Sequence, residues 1–461
     1  MSPVAVVIST ALVLFAGHGL LRRLRFSCSS GPGWFGWSLL AGCTFLAALA
    51  TLLSPLSLAH PWGLTAGLLV AGFIFKRPHT SEVHGHWVDF GSAILVVGSV
   101  AWLAWSKPIW NPDALLRWGM HARWLVESNS LLPPAINSIE WAGSHPTYPP
   151  LLSAMGGLTI GLGGDPEVCL RLLSPIFLLA LLGIVTGFCS RHCGRRNGVL
   201  LTLSLALTPC MSWLERTSRM GSEIETVGLG GAAFLADIPL ALCLTAAAVL
   251  ILEANLHPRE RAQELCLGLA CAAAVWCKQE GLPSILALLA VAAISLPQRR
   301  WLIRPSLIAL AAFFLWRLVC WDMTVAEGEN YLSVGGLGAI AGELERFPLI
   351  LNGLSAEFGD VLRWGPLWFV TAVLIVTVLL GLVSNKITAW RPVICALLWI
   401  SAGVGIAFAG FMATGWRDGN VELLMEVSLS RLLIHFAPCL TLALATALHL
   451  TSRNNLQVNN Q

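Results

Sequence analysis

Charged residues are scarce in this chain of 461 residues: only 11% are Asp, Glu, Lys or Arg, where soluble domains carry roughly a quarter. That scarcity excludes an ordinary soluble domain. No long basic run is present, which excludes nucleic acid as a partner. The 13 cysteines show neither C-x-x-C nor paired spacing, and most lie inside apolar blocks, so they imply no disulfide framework and read as small packing residues. Alternation of apolar and polar residues over about ten positions is missing too, which excludes a strand-built membrane barrel. No small-residue cleavage site follows the first apolar block, Val4 to Leu21, and Arg22, Arg23 and Arg25 come after it, so the block reads as a retained helix. Neither an internal repeat nor a soluble domain is visible.

What remains is apolar. Hydrophobic residues make up 56% of the chain, and the mean hydropathy is +0.74. Apolar blocks of about 17 to 23 residues, rich in Leu, Ala, Val and Ile, recur from end to end, and each is long enough to cross a bilayer as a helix. The fold class is therefore all-α: a polytopic membrane protein with about thirteen transmembrane helices. Spans are expected near 2–21, 34–54, 61–75, 87–106, 167–189, 198–214, 236–253, 263–277, 281–297, 301–320, 366–384, 390–412 and 431–449.

Alternate connections collect short basic clusters: Arg22 to Arg25, Lys76 with Arg77, Arg191 with Arg195 and Arg196, Arg259 with Arg261, Arg299 with Arg300 and Arg304, Lys386 with Arg391, and Arg453. By the positive-inside rule these face the cytoplasm. The amino terminus and both long loops, 107–166 and 321–365, then lie outside, and residues 454–461 form a polar cytoplasmic tail. The expected location is the cytoplasmic membrane, with the active site on its periplasmic or extracellular side. Leu151 to Gly164 is apolar but short and broken by glycines. It is expected in the outer interface, because a span there would invert every later loop.

The first outer loop opens with WNPDALLRWGMHARWL, where Asn111 can cap a helix, Pro112 suits its first turn and Asp113 follows. At 100° per residue, Asp113, Arg117, His121, Arg123 and Glu127 share one arc, opposite Ala114, Leu115, Trp118, Ala122, Leu125 and Val126. This predicts an amphipathic interfacial helix. The loop closes with HPTYPPLL, which brings His145 and Tyr148 to the same loop. Asp237 in ADIPLAL heads a later helix, Lys278, Gln279 and Glu280 form the whole link between two apolar spans, and Arg431 in SLSRLLIHFAP begins the last span with His435 one turn deeper. Each has a plainer structural explanation. Asp113 suits a helix dipole, Asp237 a cap, Tyr148 and Arg431 interfacial anchoring, and Lys278 snorkelling. Their convergence argues for chemistry: one topology brings Asp113, His145, Asp237, Lys278 and Arg431 to one side. A sugar carried on a lipid phosphate needs cations for the departing phosphate and a carboxylate for the acceptor's proton. Asp237 can orient that carboxylate or, with Asp113, hold a divalent cation, Mg²⁺ or Mn²⁺.

The same stretches resemble the GT-C superfamily of polyprenyl-phosphate-sugar glycosyltransferases, which includes protein O-mannosyltransferases and lipid A aminoarabinose transferases. The resemblance runs from about residue 87 to 449 and rests on Asp113 in WNPDALLRW, Tyr148 to Leu151, Asp237 before Ile-Pro-Leu, Lys278 in KQEGL, and Arg431 to Pro438. It implies a GT-C-like transmembrane catalytic domain over 87–453, preceded by three additional helices within 1–86. It also implies an inverting transfer from a polyprenyl-phosphate-linked donor to a glycan, lipid or protein acceptor. Asp113 is then the general base, Asp237 a second catalytic carboxylate, and Lys278, Glu280, Arg431, His145, Tyr148 and Arg117 bind substrate. Many relatives have an Asp-Glu pair where this chain has Asp113-Ala114. The competing classes are a transporter or flippase of lipid-linked saccharides, which places ionisable groups near the midplane, and a ligase or polymerase using a diphosphate-linked glycan.

Overall fold

The computed structural model describes residues 2–26, 31–75, 90–106, 113–132, 147–212, 215–220, 223–228, 235–296, 299–321, 343–383, 387–413 and 421–459. Apolar blocks without internal polar groups satisfy their backbone only as helices, and helices account for nearly all of it. The chain begins with α1 (Ser2–Arg23), α2 (Gly31–Leu53), α3 (Pro61–Ile74) and α4 (Gly91–Ser106). A π-turn over Asp113–Gly119 leads into α5 (Met120–Ser128), and α6 (Leu151–Gly161) follows. Next come α7 (Pro166–Cys193), α8 (Arg195–Ala206) and the short α9 (Pro209–Ser212). A two-stranded antiparallel hairpin, β1 (Glu215–Met220) with β2 (Glu223–Gly228), holds the only strands among the described residues. The chain then runs through α10 (Asp237–Leu256), α11 (Arg261–Cys277), α12 (Gly281–Ser295) and α13 (Ile303–Val319). It ends with α14 (Arg346–Gly359), α15 (Val361–Trp364), α16 (Leu367–Val383), α17 (Ile387–Ala413), α18 (Val421–Ile434) and α19 (Ala437–Asn459).

Over the described residues each expected span falls mainly on helix, and seven helical stretches there are long and apolar enough to cross a bilayer unaided. The outside of the bundle is as apolar as its core: Val7, Ile74, Leu95, Trp102, Phe314 and Leu380 are all exposed. A surface of this kind is stable against lipid, not water. At the centre stands α10, buried from Asp237 to Ala254. Two boundaries differ from expectation. The span expected near 198–214 is divided between α8 and α9, and the last span is interrupted at His435 and Phe436, so Arg431 sits in the last turn of α18.

Contacts between connections define two ends of the bundle. At one end Asp165 N donates to Ser2 Oγ (2.8 Å), Ala59 N to Asn129 O (2.9 Å), and Trp316 Nε1 to Thr147 O (2.9 Å). At the other, Arg191 and His192 at the end of α7 meet Glu253 of α10, and His449 of α19 donates to His192 O (2.8 Å). The loop charges separate the same two groups of connections. The first group marks the Asp237 end of the bundle and the second the Glu253 end.

The stretch expected in the interface behaves differently from a surface helix. At 11 residues, or about 16 Å, α6 is too short to cross a bilayer. Its first ten residues are all buried, however, packed under α5 and against α1, α2 and α7, with Thr159 hydrogen-bonded to Ser9 of α1 (2.8 Å). It is an internal layer of the Asp237 end, not a float on the membrane. The amphipathic arc before it is also corrected. His121, expected on the polar side, is buried and stacked on Trp124 (4.7 Å), whereas Leu115 is exposed. The cause is the π-turn: its i→i+5 bonding advances each residue by less than 100°, so residues on either side of it drift off one stripe. Arg123 and Glu127, past the turn, are exposed as expected, and Asn129 ends α5 in the left-handed conformation (φ 56°).

Close crossings hold the bundle together. Gly17 of α1 lies against the backbone of Ser38 and Gly42 on α2, and Gly42 against Val13, leaving no room for a Cβ at either glycine. Gly42→Leu is therefore expected to lower stability by about 1–3 kcal/mol through overpacking. Gly98→Leu on α4, where nothing lies within 4 Å, leaves it unchanged. Thermal unfolding of the two variants in detergent checks this contrast.

Candidate functional site

Asp237 opens α10 with Pro239 two residues on, where the sequence suggests a cap. Its carboxylate instead turns to three side chains. Lys278 Nζ approaches Oδ1 at 2.9 Å, His435 Nε2 donates to the same oxygen at 3.0 Å, and Arg431 Nε donates to Oδ2 at 2.8 Å. Lys278 also meets Glu280 Oε1 at 3.2 Å. Asp237, Lys278 and His435 are buried, whereas the Glu280 side chain keeps 37% of its exposure and forms the open edge of the group.

Local sequence explains how these residues are presented. Lys278 ends α11 in an extended conformation and α12 begins at Gly281, which lies so close to the backbone of Ala274 that a side chain there would collide. The link between the two helices is therefore as short as it can be, and Lys278 and Glu280 stay at the rim. Arg431 in the last turn of α18 and His435 in the break that follows both reach Asp237. Burial works against the charge on Lys278, but Asp237 and Glu280 more than offset it and raise the ammonium's pKa above its ordinary value. Burial likewise opposes ionisation of Glu280; Lys278 outweighs it and lowers the carboxyl. Lys278 and Glu280 thus hold each other in their charged forms.

Four of the anticipated residues, Asp237, Lys278, Glu280 and Arg431, come together, and His435, noted in the sequence as one turn from Arg431, joins them. Arg117 and Tyr148 form a pair of their own at the same end of the bundle. Arg117 Nη1 donates to Tyr148 Oη (2.9 Å), its guanidinium carbon lies 5.0 Å from the ring centroid, and Trp118 packs edge-on to the ring (5.8 Å). Asp113 is the first residue of the π-turn; its side chain, and the whole of His145, lie outside the described residues.

One buried network escaped sequence reasoning. Glu357 of α14 forms an ion pair with Arg363 of α15 and accepts from Trp364 Nε1 (2.8 Å) and Ser430 Oγ (2.6 Å), the residue next to Arg431. Asp360 braces Arg363 by capping its backbone N–H (3.0 Å). The signal was there in EFGDVLRW, where Glu357, Asp360 and Arg363 recur every three residues in an otherwise apolar segment. This network fixes α18 and hence Arg431.

The donors around Asp237 do not suit a divalent cation. Both carboxylate oxygens are occupied, and two of the three partners are cations that would repel Mg²⁺ or Mn²⁺. Asp237 is instead the counter-ion that keeps Lys278 and Arg431 together.

No family model matches the chain, and no curated protein does. Among solved structures it is similar to the crystal structure of ArnT from Cupriavidus metallidurans bound to undecaprenyl phosphate, with 15% identity and a TM-score of 0.49 over 78% of this chain. The match spans 60% of that chain's length.

Removing one member of a buried ion cluster leaves the others uncompensated. Asp237→Asn is expected to destabilise the protein by about 3–5 kcal/mol. Adding Lys278→Met recovers part of that loss, because the orphaned cation is then gone. Thermal unfolding of both single variants and the double variant tests the coupling; additive effects would refute it.

Proposed function

We propose that this chain is a membrane glycosyltransferase that moves a sugar from a polyprenyl-phosphate carrier to an acceptor glycan, lipid or protein at the outer face of the cytoplasmic membrane. The observation that carries this reading is the clustering of Lys278 and Arg431 about buried Asp237 at the end of the bundle from which the first long loop also rises. Support comes too from the order of the GT-C-like motifs along the sequence, on which the remaining roles rest.

The carrier's phosphate docks at Lys278. Half-exposed Glu280 yields that cation to it, while Asp237 keeps the ammonium and the Arg431 guanidinium aimed at one spot. Asp113, at the head of the π-turn, takes the proton from the acceptor hydroxyl as the acceptor oxygen attacks the anomeric carbon. The bond from that carbon to the phosphate oxygen breaks on the opposite face, inverting the centre, and the electron pair leaves with the phosphate. Lys278 and Arg431 stabilise the charge that develops there, which is where preorganised cations lower the barrier most. Tyr148, held by Arg117, and His145 bind donor or acceptor from the same loop.

Asp113→Asn keeps the size of the side chain but cannot accept the proton. Transfer from a panel of polyprenyl-phosphate sugars is expected to fall by at least about 10²-fold, with thermal unfolding unchanged. Near-wild-type transfer by this variant would remove Asp113 from the mechanism. Passage of lipid-linked saccharide across vesicles with no polyprenyl phosphate released by the wild-type protein would replace transfer with flipping.

A further inference from the structure

The Glu253 end of the bundle carries a second polar cluster, which the transfer chemistry does not use. Glu253 stands on α10 about 24 Å along the helix axis from Asp237. Its buried carboxylate meets two imidazoles through the same ring atom: His192 Nε2 lies 3.0 Å from Oε1 and His257 Nε2 lies 3.7 Å from Oε2. All three candidate ligand atoms lie within 4.8 Å of one another. Metal–ligand bonds of about 2.0–2.1 Å in tetrahedral array place ligand atoms about 3.3 Å apart, so small side-chain shifts suffice to close the set.

We propose that His192, Glu253 and His257 form a zinc site at this end of the bundle. Two imidazoles with one carboxylate and an open fourth position is a donor set zinc accepts. The framework for it is fixed. Each ligand comes from the end of α7 or α10, His257 N–H closes α10 onto Glu253 O (2.8 Å), and His449 Nδ1 of α19 donates to the His192 carbonyl (2.8 Å). His192 and His257 are stacked at 25° with centroids 5.6 Å apart, so their rings already face the carboxylate side by side. Arg191 is the competitor, with Nη1 at 2.7 Å from Glu253 Oε1. Its side chain is 42% exposed, so it can turn to solvent when the ion takes its place. The bound ion would tie the end of α7 to the end of α10 with a position left for water.

The test uses full-length protein in detergent without a polyhistidine tag, stripped with chelator and titrated with zinc chloride, with metal content read by elemental analysis. About one zinc per chain is expected. Because His257 is partly exposed at a helix end, His257→Ala should fold normally and bind at least tenfold more weakly, and Glu253→Gln should lose the site. Arg191→Gln should bind as tightly as wild type or tighter. X-ray absorption should show nitrogen and oxygen neighbours at about 2.0–2.1 Å. No zinc uptake, or uptake unchanged in both His257→Ala and Glu253→Gln, would overturn the proposal and leave Glu253 as an Arg191 ion-pair partner alone. The readout is metal content, so the result is independent of whether the protein transfers sugars.

Discussion

A carboxylate taken out of water at the edge of a membrane bundle loses several kcal/mol of hydration and is retained only where charges of opposite sign meet it closely. Asp237 meets that condition through Lys278, Arg431 and His435, drawn from α11, α18 and the break before α19. The arrangement constrains far more than one side chain. It sets the axial position of α10, demands the tight α11–α12 link that Gly281 permits, and requires the last membrane span to break where His435 is needed. The Glu357 network then secures α18 from its other side, through Ser430.

The same arrangement engages both oxygens of Asp237, Oδ1 with Lys278 and His435 and Oδ2 with Arg431. Its contribution is electrostatic order, since two like charges stay close together only when a third group of opposite sign holds them.

Much of the bundle was legible because lipid leaves the backbone few options. A block of apolar residues long enough to cross has to be helical, and basic clusters fix which connections share a face. Asp237, Lys278, Glu280 and Arg431 were legible for the same reason, being polar residues where polar residues are costly. What escaped was local geometry that hydropathy does not record. The π-turn at Asp113–Gly119 moved His121 into the core and Leu115 out of it. The break at His435 is hidden in a continuous apolar run, although Pro438, in the first turn of the following helix, marked it. The β1–β2 hairpin lies in a polar stretch between apolar blocks, where hydropathy carries no signal for strand pairing. Burial of α6 depends on α5 folding over it, which no local pattern encodes.

One consequence follows from the way α10 is enclosed. Lined on every side by protein from its first residue to Ala254, it has no lipid-facing groove into which it can bend or roll. Its outline is therefore set by neighbouring side chains alone, so an enlarged side chain anywhere between Asp237 and Ala254 has to be absorbed by protein and never by lipid.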